Sequence, residues 1–256
     1  MKLDPHIHSI YSGDSRSKPV DIIKQAKAIG LDIIAISDHD SIKGSSLAID
    51  IAKNIKNILV VPSIEITTDK GHIIGLGVKT LINKNLSPEE TVENIHDEGG
   101  VAIVPHPFSP YRSGIFFKHK ETMNRLTDFN TSKDISSKDN NLKDNTSRDN
   151  SLKDSYNNVR IDAVEVLNAR YIFGYSNYKA NKLADNKDLA KIGASDSHFL
   201  ESIGDCYTEI VDIDNEPSID DVIEAIKSKK TVAKGSRTSN KLIAKEVFNK
   251  KIRKIY

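Results

Sequence analysis

Short runs of apolar and β-branched residues recur along the chain, and amphipathic or polar segments separate them. Each run has the length of a strand that is buried on both faces. The runs cover residues 32–37, 59–67, 72–78, 101–105, 161–167, 190–195 and 207–213. Because these strands alternate with helical segments, the pattern predicts an α/β fold whose parallel sheet closes into a barrel of seven or eight strands.

Helical spacing of apolar residues is clearest in the first part of the chain. One predicted helix begins at Pro19 and ends before Gly30, two positions that favour these residue types. Its apolar side would carry Val20, Ile23, Ala26 and Ile29, and that of the next helix Ala48, Ile51, Ala52 and Ile55. Ser87, Pro88 and Glu90 have the pattern of a capping box with proline in the first turn, which predicts a third helix.

Residues 132–156 interrupt this alternation with a five-residue repeat. Its period is marked by Asp134, Asp139, Asp144, Asp149 and Asp154. Apolar residues are too sparse there to offset the entropy that ordering the segment would cost. We interpret residues 127–158 as a mobile, low-complexity insertion in a loop of one domain that spans 1–256, with no role in function. The open alternative is an arm that binds cations or a partner.

The net charge is +1, but basic residues are concentrated near the C-terminus. Eleven lysines and arginines and a single acid lie between Lys227 and Lys254. This composition predicts a basic C-terminal helix at 236–256, which could hold a polyanion such as RNA. The alternative is a solvated helical face that binds nothing.

The rest of the composition indicates a soluble protein in a reducing compartment. No apolar signal segment precedes the first motif, and no run approaches the roughly 18 apolar residues that span a membrane. Cys206 is the only cysteine, so no disulfide can form within the chain. We therefore expect a cytoplasmic protein with no membrane association and no obligate protein partner.

The first candidate for chemistry is a pair of histidines near the N-terminus. His6 and His8 are two residues apart, so that in a strand their imidazoles project from the same face. Asp14 follows a turn at Ser12 and Gly13, and a loop could bring its carboxylate back over the pair. Since imidazole is the commonest protein ligand of zinc and similar metals, this segment is a candidate metal site.

The same residue types recur at or beside the ends of later strands. They are His39, Glu65, His72, His106, Asp196 and His198. Burying so many unpaired polar groups would be costly, so the pattern indicates a polynuclear metal site at one end of the strands. Asp38 and Asp40 flank His39 and are expected to orient histidine N–H groups rather than to bind metal. His96 and His119 are interpreted as solvated surface residues.

Taken in order, these motifs resemble those of the polymerase and histidinol phosphatase (PHP) family. The motifs are His6-Ile7-His8 with Asp14, Ser37-Asp38-His39-Asp40, Glu65, Pro105-His106-Pro107 and Ser195-Asp196-Ser197-His198. The resemblance covers residues 1 to about 235, interrupted by the repeat. It implies a distorted, TIM-like (β/α)7 barrel with up to three metal ions. One departure is the first loop, which reads Ser12-Gly13-Asp14 where many relatives have Ser-Asp-Gly.

The resemblance also implies a ligand set for each metal ion. His6, His8, Glu65 and Asp196 would hold the first ion, Glu65, His72 and His106 the second, and Asp14, His39 and His198 the third. Mixed imidazole and carboxylate ligands suit Mn, Zn or Fe better than Mg or Ca. We therefore expect two or three divalent ions of the first kind as cofactors.

This ligand set predicts hydrolysis of a phosphate ester. A hydroxide bridged by metals that share Glu65 would attack phosphorus in line, so that no serine or cysteine nucleophile is needed. The predicted catalytic residues are Glu65, Asp196, His198 and Arg112, the last as a phosphate clamp because a guanidinium binds phosphate bidentately. Asn168 and Arg170 are further candidates for contact with the substrate.

Several activities remain open. Relatives of this short type act on nucleotides, as phosphatases of nucleoside 3′,5′-bisphosphates or as 5′–3′ exoribonucleases on short RNA, and the resemblance implies one of these substrates here. The alternatives are a histidinol-phosphatase-like enzyme for a phosphorylated small molecule and a metal-dependent amide or lactone hydrolase. A further alternative is a non-catalytic metal-binding barrel.

Overall fold

The computed structural model of the protein describes residues 1–110, 112–128, 159–171 and 174–245. Ten strands in these residues form two five-stranded sheets. The strands are β1 (Lys2–Ile7), β2 (Ile33–Ile36), β3 (Leu59–Val61), β4 (Ser63–Thr67), β5 (His72–Leu76), β6 (Val101–Val104), β7 (Ala163–Asn168), β8 (Ala190–Ala194), β9 (Cys206–Ile210) and β10 (Thr231–Gly235).

The predicted α/β fold is confirmed, but the sheets are mixed rather than parallel. Their strand orders are β10-β9-β1-β2-β3 and β4-β5-β6-β7-β8. Strand β5 runs antiparallel to β4 and β6, and β9 runs antiparallel to β1 and β10, while the other pairs are parallel. Closure into a (β/α)7 barrel is not confirmed. Among the described residues, the two sheets meet at the isolated bridges Ile7–Ser197 and His39–Glu65.

The single strand predicted at 59–67 is two strands in the structure. Pro62 lies between β3 and β4, and because proline has no N–H to donate, it interrupts the ladder. Strand β3 pairs with β2 in the first sheet, whereas β4 pairs with β5 in the second. This break places Glu65 at the edge of the second sheet, where it forms a bridge with His39 in the loop after β2.

Helices follow most of the strands. They are α1 (Pro19–Ala28), α2 (Lys43–Ala52), α3 (Pro88–Asp97), α4 (Ile115–Lys118), α5 (Lys120–Thr127), α6 (Tyr175–Lys187) and α7 (Ile219–Lys227). The capping box of α3 is confirmed, since Ser87 Oγ accepts from the N–H of Glu90 and the Glu90 carboxylate accepts from the N–H of Ser87.

The first two helices have the predicted positions but not quite the predicted faces. Helix α1 buries Ile22, Ile23 and Ala26, whereas Ile29 lies at its C-terminal end and is 41% exposed. Helix α1 contacts both β2 and α2, so two neighbours determine its buried side. Helix α2 ends before Ile55, which lies outside the helix.

Two predicted segments lie largely beyond this fold. Residues 240–245 are helical, at the start of the predicted basic helix, but 246–256 and residues 129–158 of the predicted insertion lie outside the described residues. None of the described helices is long and apolar enough to cross a membrane.

Candidate metal centre

All nine predicted ligands converge at one end of the two sheets. His6 lies within β1, Glu65 within β4 and His72 at the start of β5. The loops that follow β1, β2, β6 and β8 carry His8, Asp14, His39, His106, Asp196 and His198. Parallel strands end at a common edge of their sheet, so ligands distant in sequence become neighbours. The structure brings these residues together, and their binding of metal stays a prediction.

Glu65 lies at the centre of the cluster and is fully buried. Its Oε1 atom is 2.9 Å from His72 Nδ1 and 3.3 Å from His106 Nε2. Burial alone would raise the pKa of Glu65, but the positive charge of His39, His72 and His6 holds it well below its usual range. Glu65 is therefore a carboxylate anion at neutral pH.

The second oxygen of Glu65 faces a different set of imidazoles. Its Oε2 atom lies 3.2 Å from His6 Nε2, 3.4 Å from His8 Nε2 and 3.1 Å from His39 Nδ1. Each oxygen thus has its own group of nitrogen neighbours. This is the arrangement that a carboxylate needs to bridge two cations.

Glu165 orients the ring of His6. Its Oε1 atom lies 2.7 Å from His6 Nδ1, and both side chains are fully buried. The Nε2 atom of His6 then faces His8 Nε2 at 3.0 Å. Two unprotonated imidazole nitrogens at this distance repel each other unless a proton or a cation lies between them.

Sequence analysis missed Glu165. Its Oε2 atom also accepts hydrogen bonds from the backbone N–H of His106 at 2.8 Å and from Asn168 Nδ2 at 2.9 Å. It therefore fixes one histidine ring and the backbone of another, as carboxylates behind metal-binding histidines do. The signal in the sequence is an acid at the centre of the apolar run Ala163–Asn168, where a fully buried strand should have none.

Asp196 lies between the histidines and two arginines. Its Oδ2 accepts a hydrogen bond from Arg112 at 2.6 Å and its Oδ1 one from Arg170 at 3.1 Å. Burial alone would raise the pKa of Asp196, but the charges of Arg170, His6 and Arg112 hold it well below its usual range. The arginines therefore neutralise an anion that is buried within the cluster.

Asp14 and His198 close the outer side of the cluster. Asp14 Oδ2 lies 2.7 Å from His198 Nε2 and 3.8 Å from His39 Nε2. Asp14 also accepts a hydrogen bond from Ser12 at 2.8 Å, so the first loop brings its carboxylate back over the site as predicted. Burial and the adjacent charge of Arg170 lower the pKa of His198 well below its usual value, which keeps the ring neutral.

The donor atoms fit divalent cations. Three groups present ligand atoms within 4.8 Å of one another: His6, His8 and Asp196; His39, Glu65 and His72; and His8, Asp14, His39 and His198. They reproduce most of the ligand sets that the PHP resemblance implies, but His39 replaces His106 beside Glu65 and His72. Within the described residues, the buried Nδ1 atom of His39 makes no hydrogen bond although it lies 3.1 Å from Glu65 Oε2, as expected for an atom that would bind a cation.

The other polar residues singled out in the sequence have supporting roles or lie elsewhere. Asp38 accepts hydrogen bonds from the N–H and hydroxyl of Ser9, both at 2.6 Å. Asp40 accepts one from the N–H of Thr67. Both aspartates thus fix the loops around His39 and do not orient histidine N–H groups as expected.

His96 lies at the surface with 35% of its side chain exposed, but it also has a partner that sequence analysis did not predict. Its Nε2 atom lies 2.8 Å from Asp162 Oδ2, which also accepts a hydrogen bond from the N–H of Ala102. The pair joins α3 to the segment before β7. His96 therefore has a structural partner outside the ligand cluster.

Metal binding should release protons near neutral pH. Burial alone would lower the pKa of His6, but the carboxylates of Asp196, Glu65 and Glu165 raise it well above its usual value. His6 is therefore protonated in metal-free protein, whereas burial lowers the pKa of His8 to about 4 and keeps that ring neutral. A metal ion must displace the His6 proton, so affinity should rise with pH through neutrality until the raised pKa of His6 is passed.

Calorimetry in buffers of different ionisation enthalpy, titrating Mn²⁺ into metal-free protein at pH 7, measures this release directly. The same shift stabilises the metal-free fold most below the usual histidine pKa of about 6.5, and the stabilisation is lost as pH rises through the higher folded-state pKa. Heats of binding that do not depend on the buffer would contradict a protonated His6.

Comparison with known proteins finds similarity in sequence over parts of this chain. A family model described as PHP-associated matches residues 174–231. The uncharacterized protein MJ1587 of Methanocaldococcus jannaschii is 44% identical in an alignment over 120 residues that covers 43% of this chain and 70% of that protein.

Two solved structures share the fold. One is a two-domain protein of Bacteroides vulgatus that contains a predicted PHP-like metal-dependent phosphoesterase, with a TM-score of 0.61 and 19% identity over 92% of this chain. The other is the lesion-specific endonuclease PfuEndoQ of Pyrococcus furiosus, with a TM-score of 0.56 and 18% identity over 89% of this chain. This chain spans 65% and 56% of those two chains, less than two thirds of either. With the motifs from His6 to His198 gathered in one cluster, we conclude that the chain belongs to the PHP family.

Proposed function

We propose that the protein is a metal-dependent phosphoesterase that hydrolyses a phosphate ester of a nucleotide or a short RNA. The observation that carries this proposal is the pair of guanidinium groups, Arg112 and Arg170, beside the cluster of nine ligands. Both arginines donate to Asp196, but each guanidinium has further N–H donors, which match the non-bridging oxygens of a phosphate in charge and shape, whereas a neutral amide or lactone carries no charge for them to bind.

Asn168 holds both arginines at the site. Its Oδ1 accepts hydrogen bonds from Arg112 at 3.2 Å and from the backbone N–H of Arg170 at 3.0 Å. The guanidinium of Arg112 also lies 4.9 Å from the centre of the Tyr171 ring, where a cation is favourable. The arginines are thus oriented before a substrate arrives, which reduces the entropy lost on binding.

Bound divalent cations would supply an acidified water and positive charge, the chemistry that phosphoester hydrolysis needs. The protein would contribute the anionic and imidazole donors around Glu65 and the two arginines that orient the phosphate. These groups line a groove of about 220 Å³ that also opens to His39 and Asp14. The similarity to an endonuclease and to a predicted phosphoesterase supports the reaction class, and the nucleotide substrate is part of the proposal.

Arg112→Ala should raise the KM for a nucleotide substrate about tenfold, the effect of removing a charge-assisted hydrogen bond of about 1.5 kcal/mol. Arg125→Ala is the matched control, since Arg125 pairs with Glu89 and lies outside the cluster. The assay uses Mn²⁺-loaded protein and a short RNA with a labelled 5′-phosphate, with the products resolved. Equal KM values for the two variants would contradict the role of Arg112.

The same assay separates the proposed activities. Labelled mononucleotide as product means 5′–3′ exonuclease activity, and labelled free phosphate means phosphatase activity. Adenosine 3′,5′-bisphosphate is tested in parallel with phosphate release as the readout. If wild-type protein loaded with Mn²⁺, Zn²⁺ or Fe²⁺ hydrolyses neither substrate, the proposed function is wrong.

A further inference from the structure

We propose that a second groove, next to the metal centre, is the subsite for the leaving group of the substrate. It would hold a nucleobase against Phe117 and a second phosphate beside Lys118 and Lys70. The inference rests on the proposed function, because a leaving group exists only if the metal centre cleaves an ester. The occupant is therefore a nucleotide with a phosphate in addition to the one that is hydrolysed.

The position of this groove follows from two segments that pack against each other. The groove has a volume of about 360 Å³ and lies between the turn after β4 and the loop that leads into α4 and α5. His72 and Ser113 line both this groove and the groove of the metal centre. A molecule with its reacting phosphate among the ligands therefore has its remaining part directly next to the second groove.

The floor of the groove has little freedom to move. The N–H of His72 donates to the carbonyl of Ser113 at 3.3 Å, which joins the two segments. Gly71, with a φ of +152°, lies so close that a Cβ atom there would be 2.5 Å from the same carbonyl. Thr68 Oγ1 closes the turn by accepting from the N–H of Gly71 at 3.1 Å. The groove is thus formed by ordered backbone and is available without rearrangement.

Phe117 supplies an exposed aromatic surface in the groove. Its side chain is 47% exposed, although it follows the buried residues Ile115 and Phe116 in α4. An aromatic ring in contact with solvent is a surface on which any nucleobase can stack, and such stacking contributes about 1–3 kcal/mol per base in known complexes. Phe117 is therefore suited to the base of a nucleotide.

The charge of the groove favours an anion. Its lining includes Lys70, Lys118 and His119, and its only acid is Asp69. The Nζ of Lys70 lies 3.8 Å from Asp69, whereas Lys118 makes no ion pair within the described residues. Lys118 can thus neutralise a phosphate. A phosphate that lies between the two lysines would also be stabilised by the charge of Lys70.

Kinetics with two substrates test this subsite. Adenosine 3′,5′-bisphosphate fills both grooves, whereas p-nitrophenyl phosphate has no second phosphate and no nucleobase. Phe117→Ala and Lys118→Ala should each raise the KM for the bisphosphate about tenfold and change kcat/KM for p-nitrophenyl phosphate less than about twofold. Phe117→Tyr should retain the wild-type KM, and Lys24→Ala, an exposed lysine on α1, is the control for charge.

A binding measurement keeps the inference testable without turnover. The chain has no tryptophan, so Phe117→Trp places a single fluorescent reporter in the groove. Adenosine 3′,5′-bisphosphate, added to full-length protein before any metal, should quench this fluorescence saturably, and inorganic phosphate should not. Val232→Trp is the control, because Val232 is 41% exposed on β10, opposite Glu209 and far along the sheet from the ligands.

The outcomes separate the two proposals. Equal changes for both substrates, or no change for either, would overturn the subsite while phosphoesterase activity stands. If wild-type protein hydrolyses neither of these substrates nor the labelled short RNA, the proposed function fails. In that case quenching of Phe117→Trp that Lys118→Ala weakens would still support a nucleotide site, and absence of quenching would overturn it.

Discussion

Replacing Glu65 by glutamine should reduce phosphoesterase turnover by at least about a thousandfold, a loss of about 4 kcal/mol of transition-state stabilisation. Both oxygens of Glu65 face imidazole nitrogens, at 2.9 Å for His72 and 3.1 Å for His39. Glutamine offers one oxygen and one NH₂ group, so one side of the side chain can no longer accept. It also lacks the negative charge that two adjacent cations share.

Metal content and stability show whether this loss has the expected cause. Metal bound per chain, measured after gel filtration, should fall in Glu65→Gln, while thermal unfolding stays cooperative because the side-chain volume is preserved. Glu89→Gln is the matched control, since Glu89 is also a buried carboxylate but pairs with Arg125 on α5. Wild-type turnover in Glu65→Gln would show that no cation depends on this carboxylate.

The ligand cluster could be predicted from the sequence because a ligand at a strand end can be recognised from the residues immediately around it. His6 and His8 reveal their common face by their spacing, and His39, Asp196 and His198 each follow an apolar run. Parallel strands then bring these ends together whatever the details of the sheet. The prediction did not depend on how many strands there are or on which neighbours they have.

The arrangement of the strands required information that apolar runs do not carry. Only four residues, 68–71, separate β4 from β5, and a parallel connection needs about a dozen, so this pair could have been recognised as antiparallel. The pairing of β5 with β6 could not have been recognised as antiparallel from the sequence, because the connection between them contains α3 and has the length of a parallel crossover. Pro62 marks the break between β3 and β4, but the sequence does not indicate that the chain changes sheets there.

Glu165 was missed because its sequence context hides its partners. A single acid in an apolar strand is compatible with a solvent-facing position, and only the fold shows that it is fully buried beside His6. The three groups that bind it come from β1, from the loop after β6 and from β7 itself. A residue that acts by orienting others can be identified only when those others have been placed.

Glu165→Gln should weaken metal binding about 10- to 100-fold, the usual effect of removing a group that orients a metal-binding histidine. Glutamine has a single acceptor oxygen, so it can accept from the His6 ring or from the N–H of His106 but not from both. If its oxygen takes the His6 ring, its NH₂ group faces the N–H of His106, and two buried donors then oppose each other. If it turns the other way, the His6 ring loses its acceptor and its preferred tautomer.

The control for this variant repeats the same chemistry away from the cluster. Asp162 also accepts from a histidine ring and from a backbone N–H, those of His96 at 2.8 Å and Ala102 at 2.7 Å, but through a single oxygen, Oδ2. Asp162→Ala removes the acceptor of both donors and should destabilise the fold, while Mn²⁺ affinity, measured by calorimetry, stays unchanged. Loss of affinity in both variants would mean that Glu165 acts only through stability, whereas loss in Glu165→Gln alone makes it a positioning residue of the metal centre.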